Sequence, residues 1–366
     1  MSEKKTKRFA VFTGGGDCPG LNAVIRAVTK TFLNNGCEVF GCYNGFNGLV
    51  NDKIKQLDFK DVSGILPRGG TVLCTTNRDN PFHMAVNKNG KIEYQDKRDA
   101  VVKNLAKYQI DALVVIGGDG SLAIGAKLAK ECGVKVVGCP KTIDNDILGT
   151  ERTFGFDTAL AMATDAIDRL HTTAESHHRV MVLEVMGRYA GWIALHSGIA
   201  GGADVILIPE IPYQIENVIK KIKSRQDAGK QFSIIAIAEG AKPLGGEVSV
   251  AKIVENSFEK IRLGGAGSKL ADCIEKLTGI ETRSTTLGYL QRGGSPTAYD
   301  RVLATRYGAA AALSAMRGDF NVMMSLQNDK IVPVDLQIAG TGFRAVPLDS
   351  DLIRTGRELG ISFGDA

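Results

Sequence analysis

The sequence predicts an α/β fold in which a mainly parallel sheet is covered by helices on both faces. Two observations carry that prediction. Short apolar runs without polar alternation are each followed by a glycine turn and then by apolar positions at helical spacing. The acidic residues and glycine clusters fall just after those runs, at the carboxyl ends of strands, where such sheets place their ligands.

The first phrase is the strand Arg8-Phe9-Ala10-Val11-Phe12-Thr13, the turn Gly14-Gly15-Gly16-Asp17-Cys18-Pro19-Gly20, and a helix carrying Leu21, Val24, Ile25 and Val28 to about Phe32. It returns as Ala112 to Ile116, Gly117-Gly118-Asp119-Gly120-Ser121, and a helix with Leu122, Ile124, Leu128 and Ala129 on one face. A third strand, Val134 to Gly138, delivers the loop Pro140-Lys141-Thr142-Ile143-Asp144-Asn145-Asp146. Leu160, Ala163, Ile167 and Leu170 mark an amphipathic helix between Phe156 and Leu170. Strands are expected at 179–185, 205–208 and 232–238, the last two followed by Glu210 and Glu239. The stretch from Lys242 to Gly267 reads as a surface excursion with a helix from Val250 to Leu263.

Composition narrows the function classes. At 366 residues the chain suffices for one large or two medium α/β units. No apolar run approaches the roughly 18 residues that span a bilayer, so a soluble protein without a membrane role is expected. Met1 to Arg8 is polar and basic with no apolar region after it, which points to the cytoplasm. The net charge of +5 comes from scattered lysines and arginines, which fits anionic small molecules and not a nucleic-acid groove. The seven cysteines form no CxxC pair, so reduced thiols are expected, with neither disulfides nor a zinc site.

The chemistry concentrates in three kinds of residue. Asp144 and Asp146 stand two apart; in extended chain they would share a side, one as base and the other orienting a cation, whereas the bland reading is a polar turn with an Asx cap. The two glycine turns offer backbone N–H groups at helix N-termini, where anions are favoured, although tight structural turns read equally well. Neither matches a P-loop or a dinucleotide fingerprint. Arg68, Arg188 and Arg292 each adjoin glycines and are candidate phosphate donors, with surface ion pairing as the competing role. Taken together, paired acids, glycine turns and arginines point to phosphoryl transfer. His177-His178 read as a loop or shell feature, and Trp192 as core packing.

Five phrases in order resemble the 6-phosphofructokinase family over essentially the whole chain: Gly15 to Asn22, Gly117 to Ser121, Thr142 to Asp146, Glu184 to Arg188, and Gln291 to Pro296. The resemblance implies the two-lobed phosphofructokinase fold with similar Rossmann-like lobes. Residues 1–150 would form the lobe for donor phosphate and Mg²⁺, 151–320 the sugar-phosphate lobe, and 321–366 a segment packing back on the first. It implies Mg²⁺-dependent, glycolytic transfer from ATP to O1 of fructose 6-phosphate, with Asp144 as base and Thr142, Asp146 and Arg188 beside it. Asp119 would hold Mg²⁺; Gly15, Gly118, Gly120, Ser121, Lys141 and Arg78 would line the donor. Arg179, Met186, Gly187, Glu239, Arg283, Tyr289 and Arg292 would hold the sugar phosphate together with Thr142, Asp144 and Arg188. Arg179 and Arg283 would reach in from a neighbouring subunit, which implies a homo-oligomer, a tetramer or a dimer, with shared active sites.

Departures from the family pattern are Tyr289, where many relatives carry histidine, and a shifted register around Arg78. Lys30, His171 and Gln231 stand where effector-binding arginine or lysine is expected, so weak control by nucleoside diphosphates is anticipated. On the donor, two positions pull apart. Family members that use pyrophosphate usually carry aspartate at the position of Gly120 and lysine at that of Lys141. Glycine at 120 leaves space for the α-phosphate of ATP, which favours ATP with pyrophosphate as the alternative. NAD and lipid kinases share the Gly-Gly-Asp-Gly turn but do not require the Thr142 to Asp146 and Met186-Gly187-Arg188 phrases together. A non-catalytic sugar-phosphate sensor would be expected to have lost Asp144 or Asp119.

Overall fold

The computed structural model describes residues 6–88, 90–253 and 261–365. In chain order its elements begin β1 (Arg8–Gly14), α1 (Leu21–Asn34), β2 (Glu38–Cys42), α2 (Gly45–Val50), β3 (Ile54–Leu57), β4 (Met84–Lys88), β5 (Lys91–Gln95) and α3 (Arg98–Lys107). There follow β6 (Ala112–Gly117), α4 (Asp119–Cys132), β7 (Val136–Thr142), β8 (Phe154–Gly155), α5 (Phe156–His177), β9 (Val180–Val185), α6 (Trp192–Ala200), β10 (Val205–Leu207), α7 (Ile215–Asp227) and β11 (Ser233–Ala238). The last are β12 (Val250–Ile253), β13 (Ile261–Leu263), α8 (Ala266–Thr278), β14 (Thr282–Thr286), α9 (Ala298–Arg317), β15 (Val322–Gln327), β16 (Lys330–Asp335) and α10 (Asp351–Glu358).

Two sheets organise these elements. The first runs β16-β15-β7-β6-β1-β2-β3 with β8 beside β7, antiparallel only where β3 and β16 join its edges. The second, β10-β11-β9-β14, is wholly parallel. Their central strands β1, β6, β9 and β11 are buried on both faces, the reason they read as unbroken apolar runs.

Helix α9 ties the lobes together. Its alanine-rich sequence lies on α1 so closely that a Cβ at Gly308 would stand 2.7 Å from the Val24 carbonyl oxygen and 2.9 Å from Ala27 Cβ. The chain then adds β15 and β16 to the first sheet, and its end returns to the second, where Ser362 bridges to Val205.

At the start of α9, fully buried Asp300 accepts hydrogen bonds from the Thr158 amide at 2.8 Å and hydroxyl at 2.6 Å, joining the N-termini of α5 and α9. Burial pushes this carboxyl up to about 6, against the hydrogen bonds that favour its charged form. A folded pKa above the unfolded value means the native state binds the proton more tightly, so this contribution to stability falls as pH rises from about 4 to about 6. Relative to Asp300→Asn, the native protein should therefore lose about 3 kcal/mol across that window and nothing further above it. Denaturation midpoints that run parallel with pH would refute the assignment.

Three sequence expectations change. The third strand begins at Val136 and continues through Pro140 to Thr142, because the fixed φ of proline is compatible with an extended strand end. The amphipathic helix expected to stop near Leu170 runs on to His177. The helix expected over 250–263 is not formed by its described residues: Val250–Ile253 and Ile261–Leu263 are antiparallel strands, as their β-branched valine and isoleucines favour, and residues 254–260 lie outside the described ones.

Candidate active site

Between the carboxyl ends of the two sheets lies a cavity of about 900 Å³. Its first-lobe wall is the turn after β1. Gly15 takes a left-handed φ of +81°, and a Cβ there would stand 3.3 Å from Ser121 Oγ and 3.5 Å from Lys141 Nζ. The left-handed conformation favours glycine, and the two polar groups leave only contact distance for a side chain. The loop at 71–77 braces the turn: Thr75 donates its hydroxyl to the Gly15 carbonyl at 2.7 Å, and Gly15 donates its amide to the Thr76 carbonyl at 3.1 Å.

The second wall is the turn from β6 into α4, where Gly118, Asp119, Gly120 and Ser121 all face the cavity. Lys141, at the end of β7, is buried and donates from Nζ to the Gly16 carbonyl. Burial pulls its ammonium below the ordinary lysine value, and Arg292 and Arg188 add to that pull.

Asp144 sits at the centre of the cavity. It is 3% exposed, its Oδ1 has no hydrogen-bond partner, and its Oδ2 lies 3.8 Å from Arg188 Nε. Its amide donates to Thr142 Oγ1 at 3.1 Å. The segment is not extended: Asn145 adopts φ +54°, held by the Thr153 amide donating to its Oδ1 at 3.0 Å. Asp144 and Asp146 line the cavity even so. Burial, then the charges of Asp144 and Asp119, push the Asp146 carboxyl up to about 8. Three carboxylates are thus crowded at one end of the cavity, an arrangement that favours a cation or a proton among them.

Behind this cluster stands Arg344, which donates its amide to the Asp146 carbonyl at 2.7 Å and Nη1 to the Asn145 carbonyl at 2.9 Å. Its guanidinium lies 4.0 Å over the Trp192 ring, whose Nε1 donates to the Arg344 carbonyl at 2.8 Å. Trp192 is core, as expected, and it also fixes the arginine that braces the acidic turn.

In the second lobe, Arg188 takes φ +52° and donates its amide to Glu239 Oε1 at 3.0 Å. Gly240 allows this clasp, since a Cβ there would collide with the Arg188 carbonyl oxygen. Burial and the Asp144 charge push the Glu239 carboxyl up to about 7, opposed by Arg188. Fully buried Gln291 accepts the Met186 amide at 2.8 Å, and Glu184 accepts the Gly265 and Gly267 amides at 3.0 and 2.7 Å, at the start of α8. Met186, Arg188, Glu239, Tyr289 and Arg292 line the cavity.

Several expected residues stand elsewhere. Arg78 is outside the wall that its neighbours Thr76, Asn77 and Asp79 form. Gly187, at φ +140°, serves the turn before Arg188 and does not line the cavity, a Cβ there being only 2.6 Å from the Ala190 carbonyl oxygen. Arg68 is exposed and away from the site; its Gly69 packs instead on Gly294, and Ser295 Oγ donates to the Pro67 carbonyl at 2.5 Å. Arg179 and Arg283 lie at the amino ends of β9 and β14, opposite the cavity, with Arg179 on Glu281 at 2.7 Å and Arg283 on Glu275 and Glu281 at 3.1 and 2.7 Å. Arg292 leans over the first glycine turn, donating to the Asp17 carbonyl at 3.2 Å. Sequence reasoning missed Arg344, Gln291 as a brace, and the cavity face of the β12–β13 ribbon. Only Gln291 had a sequence signal, its place in the phrase ending at Pro296.

Comparison with known proteins agrees with this geometry. The family model described as "Phosphofructokinase" matches residues 8–315. The chain is 54% identical to "ATP-dependent 6-phosphofructokinase 2" of Clostridium perfringens, over 98% of this chain and 99% of that one. It is 49% identical to the "Pyrophosphate--fructose 6-phosphate 1-phosphotransferase" of Amycolatopsis mediterranei, over 93% and 97%. Among solved structures it resembles the phosphofructokinase of Saccharomyces cerevisiae at 33% identity and a TM-score of 0.76, covering 92% of this chain and 45% of that one. The chain belongs to the phosphofructokinase family.

Proposed function

We infer that this protein is an ATP-dependent 6-phosphofructokinase, transferring the terminal phosphoryl group of ATP to O1 of fructose 6-phosphate to give fructose 1,6-bisphosphate and ADP. The observation that carries the reading is Asp144: a buried carboxylate with a free oxygen, beside an arginine, in a cavity walled on one side by the two glycine turns and on the other by Met186, Glu239, Tyr289 and Arg292.

In this reading the O1 hydroxyl of the sugar meets Asp144, which takes its proton as the oxygen bonds to phosphorus and the bridging bond to ADP breaks. Arg188 neutralises charge on the transferring group. Gly15, Gly118, Gly120 and Ser121 present the first-lobe turns to the donor phosphates, with Lys141 behind them. Thr142 and Asp146 hold the turn beside the base, and Met186, Glu239, Tyr289 and Arg292 receive the sugar phosphate. Gly187 contributes backbone only, and Arg78 would reach the donor from the loop it shares with Thr76.

The carboxylates fit Mg²⁺. Asp119, with Asp146 near it, would hold the ion, which when bound neutralises phosphate charge and orients the donor. No group of three ligating side chains is assembled among the described residues, which suits an ion that keeps waters and takes most of its protein contact through one or two carboxylates and the substrate phosphates. Arg179 and Arg283 would act from one subunit on the site of the next, in a homo-oligomer, tetramer or dimer. They stand at the rim opposite the chain's own cavity, a position suited to such sharing. No described helix is long and apolar enough to cross a membrane, which suits a cytoplasmic enzyme of glycolysis.

Pyrophosphate is the second reading for the donor, favoured by the buried Lys141 and by the 49% identical relative. The deciding assay is formation of fructose 1,6-bisphosphate with Mg²⁺, comparing kcat/KM for ATP and pyrophosphate. ATP should win clearly; a pyrophosphate preference would replace ATP as the donor, and activity with neither would overturn the kinase reading.

A further inference from the structure

The strands β12 and β13 form a two-stranded ribbon between β11 and α8, and one edge of that ribbon faces the catalytic cavity through Ala251, Lys252, Ile261 and Arg262. Lys252 and Arg262 are direct cross-strand partners. Like charges placed opposite one another on an antiparallel pair repel, so this arrangement costs stability unless an anion meets both. The register also breaks between Val250 and Lys252. Such a bulge re-aims a side chain and is common beside active sites; here it leaves Ala251 as the extra residue and sets Lys252 against Arg262.

The surroundings sharpen the charge argument. Among the described residues, the side chains of Lys252 and Arg262 make no hydrogen bond and no ion pair. The nearby carboxylates are engaged: Glu184 accepts two amides of the α8 turn, and Glu239 accepts the Arg188 amide. The ribbon is rooted on the second lobe at Gly264, where an added Cβ would stand 3.3 Å from Ala251 Cβ and 3.7 Å from Glu184 Oε1. Of the other cations expected to hold the sugar phosphate, Arg292 lines this chain's own cavity but leans onto the first lobe, while Arg179 and Arg283 stand at the far ends of their strands, from which the reading above directs them to a neighbouring subunit's site.

We propose that Lys252 and Arg262 are a phosphate-recognising pair, supplied by the chain's own ribbon, for the phosphate of the sugar substrate. The inference rests on the phosphofructokinase reading above. The two cations lie on the second-lobe side of the cavity and act on KM for the sugar phosphate and not on the chemical step.

The test is steady-state kinetics of Lys252→Met, Arg262→Gln and the double variant, with direct titration of fructose 6-phosphate and of unphosphorylated fructose. Each single change should raise KM for fructose 6-phosphate roughly 10-fold, the usual worth of one charge-assisted contact, with kcat and KM for ATP within about twofold. Fructose binding should not change. The charge-keeping variants Lys252→Arg and Arg262→Lys should restore most of the affinity, and Ile253→Thr, outside the cavity on the same ribbon, should behave as the unaltered protein. Loss of affinity in Ile253→Thr or in the charge-keeping variants would assign the effect to ribbon folding and overturn the proposal. A rise in KM for ATP alone would give the pair to the donor phosphates and overturn it equally. An unaltered protein that binds fructose 6-phosphate but forms no bisphosphate would fail the phosphofructokinase reading, while the titrations still decide the ribbon pair.

Discussion

Replacing Asp144 by serine should lower kcat by about 1,000-fold or more while leaving the affinity for fructose 6-phosphate within a few-fold, because the carboxylate acts on the proton of O1 and not on the sugar's phosphate. No neighbour is ready to replace it. Asp146 sits in a different environment: burial and the charges of Asp144 and Asp119 push its carboxyl up to about 8, and in the reading above it serves the cation and not the sugar hydroxyl. Glu239, pushed up to about 7, is tied to the Arg188 amide. Removing the Asp144 charge takes away part of what raises the Asp146 carboxyl, so any acid limb of the small residual rate should lie at lower pH than in the unaltered protein. The measurements are kcat against pH and equilibrium titration of fructose 6-phosphate. A kcat within 10-fold of the unaltered enzyme would remove Asp144 from the role of base, and a loss of binding to match the loss of rate would make it a ligand of the ground state.

The buried strands and the glycine turns were legible because local physics writes them into adjacent residues. A strand buried on both faces has to be apolar at every position, as in Phe9 to Phe12 and Leu113 to Ile116, and a turn residue held at φ +81°, as at position 15, favours glycine. Asp144 was legible as a charged residue just past such a strand. The braces were not. Gln291 meets Met186 across 105 positions, Arg344 meets Asn145 across 199, and Ser295 meets Pro67 across 228. A contact made at that separation leaves no periodicity in either partner. Arg68 misled for the complementary reason: arginine beside two glycines resembles a phosphate site, yet the glycine is required there by the approach of Gly294. The stretch 250–263, whose ends form β12 and β13, was read as helical because its apolar residues fit either period over so short a run, and β-branching is the better guide.

Replacing Gly120 by aspartate should reverse or abolish the preference for ATP. Gly120 is the second residue of α4 and faces the cavity beside Asp119. The helix itself would accept the change, since an acid in the first turn interacts favourably with the helix dipole, so the fold should keep its thermal midpoint. The cavity would not accept it equally for both donors. In the proposed reading, a carboxylate at 120 would add volume and a negative charge where the α-phosphate of ATP passes, a group that pyrophosphate lacks. At an effective dielectric constant near 20 and a separation of about 5 Å, one such repulsion is worth about 3 kcal/mol, which is roughly a 100-fold loss in kcat/KM for ATP. Lys141 lies close to the first turn, and it would attract a terminal phosphate from either donor, so it offsets the new charge for the short donor without clearing space for the long one. The expected result is therefore a fall of roughly 100-fold with ATP and a much smaller fall, or a gain, with pyrophosphate. Equal losses with both donors would show that position 120 acts on phosphate binding in general, and the choice of donor would then have to be sought at Lys141 and the walls around it.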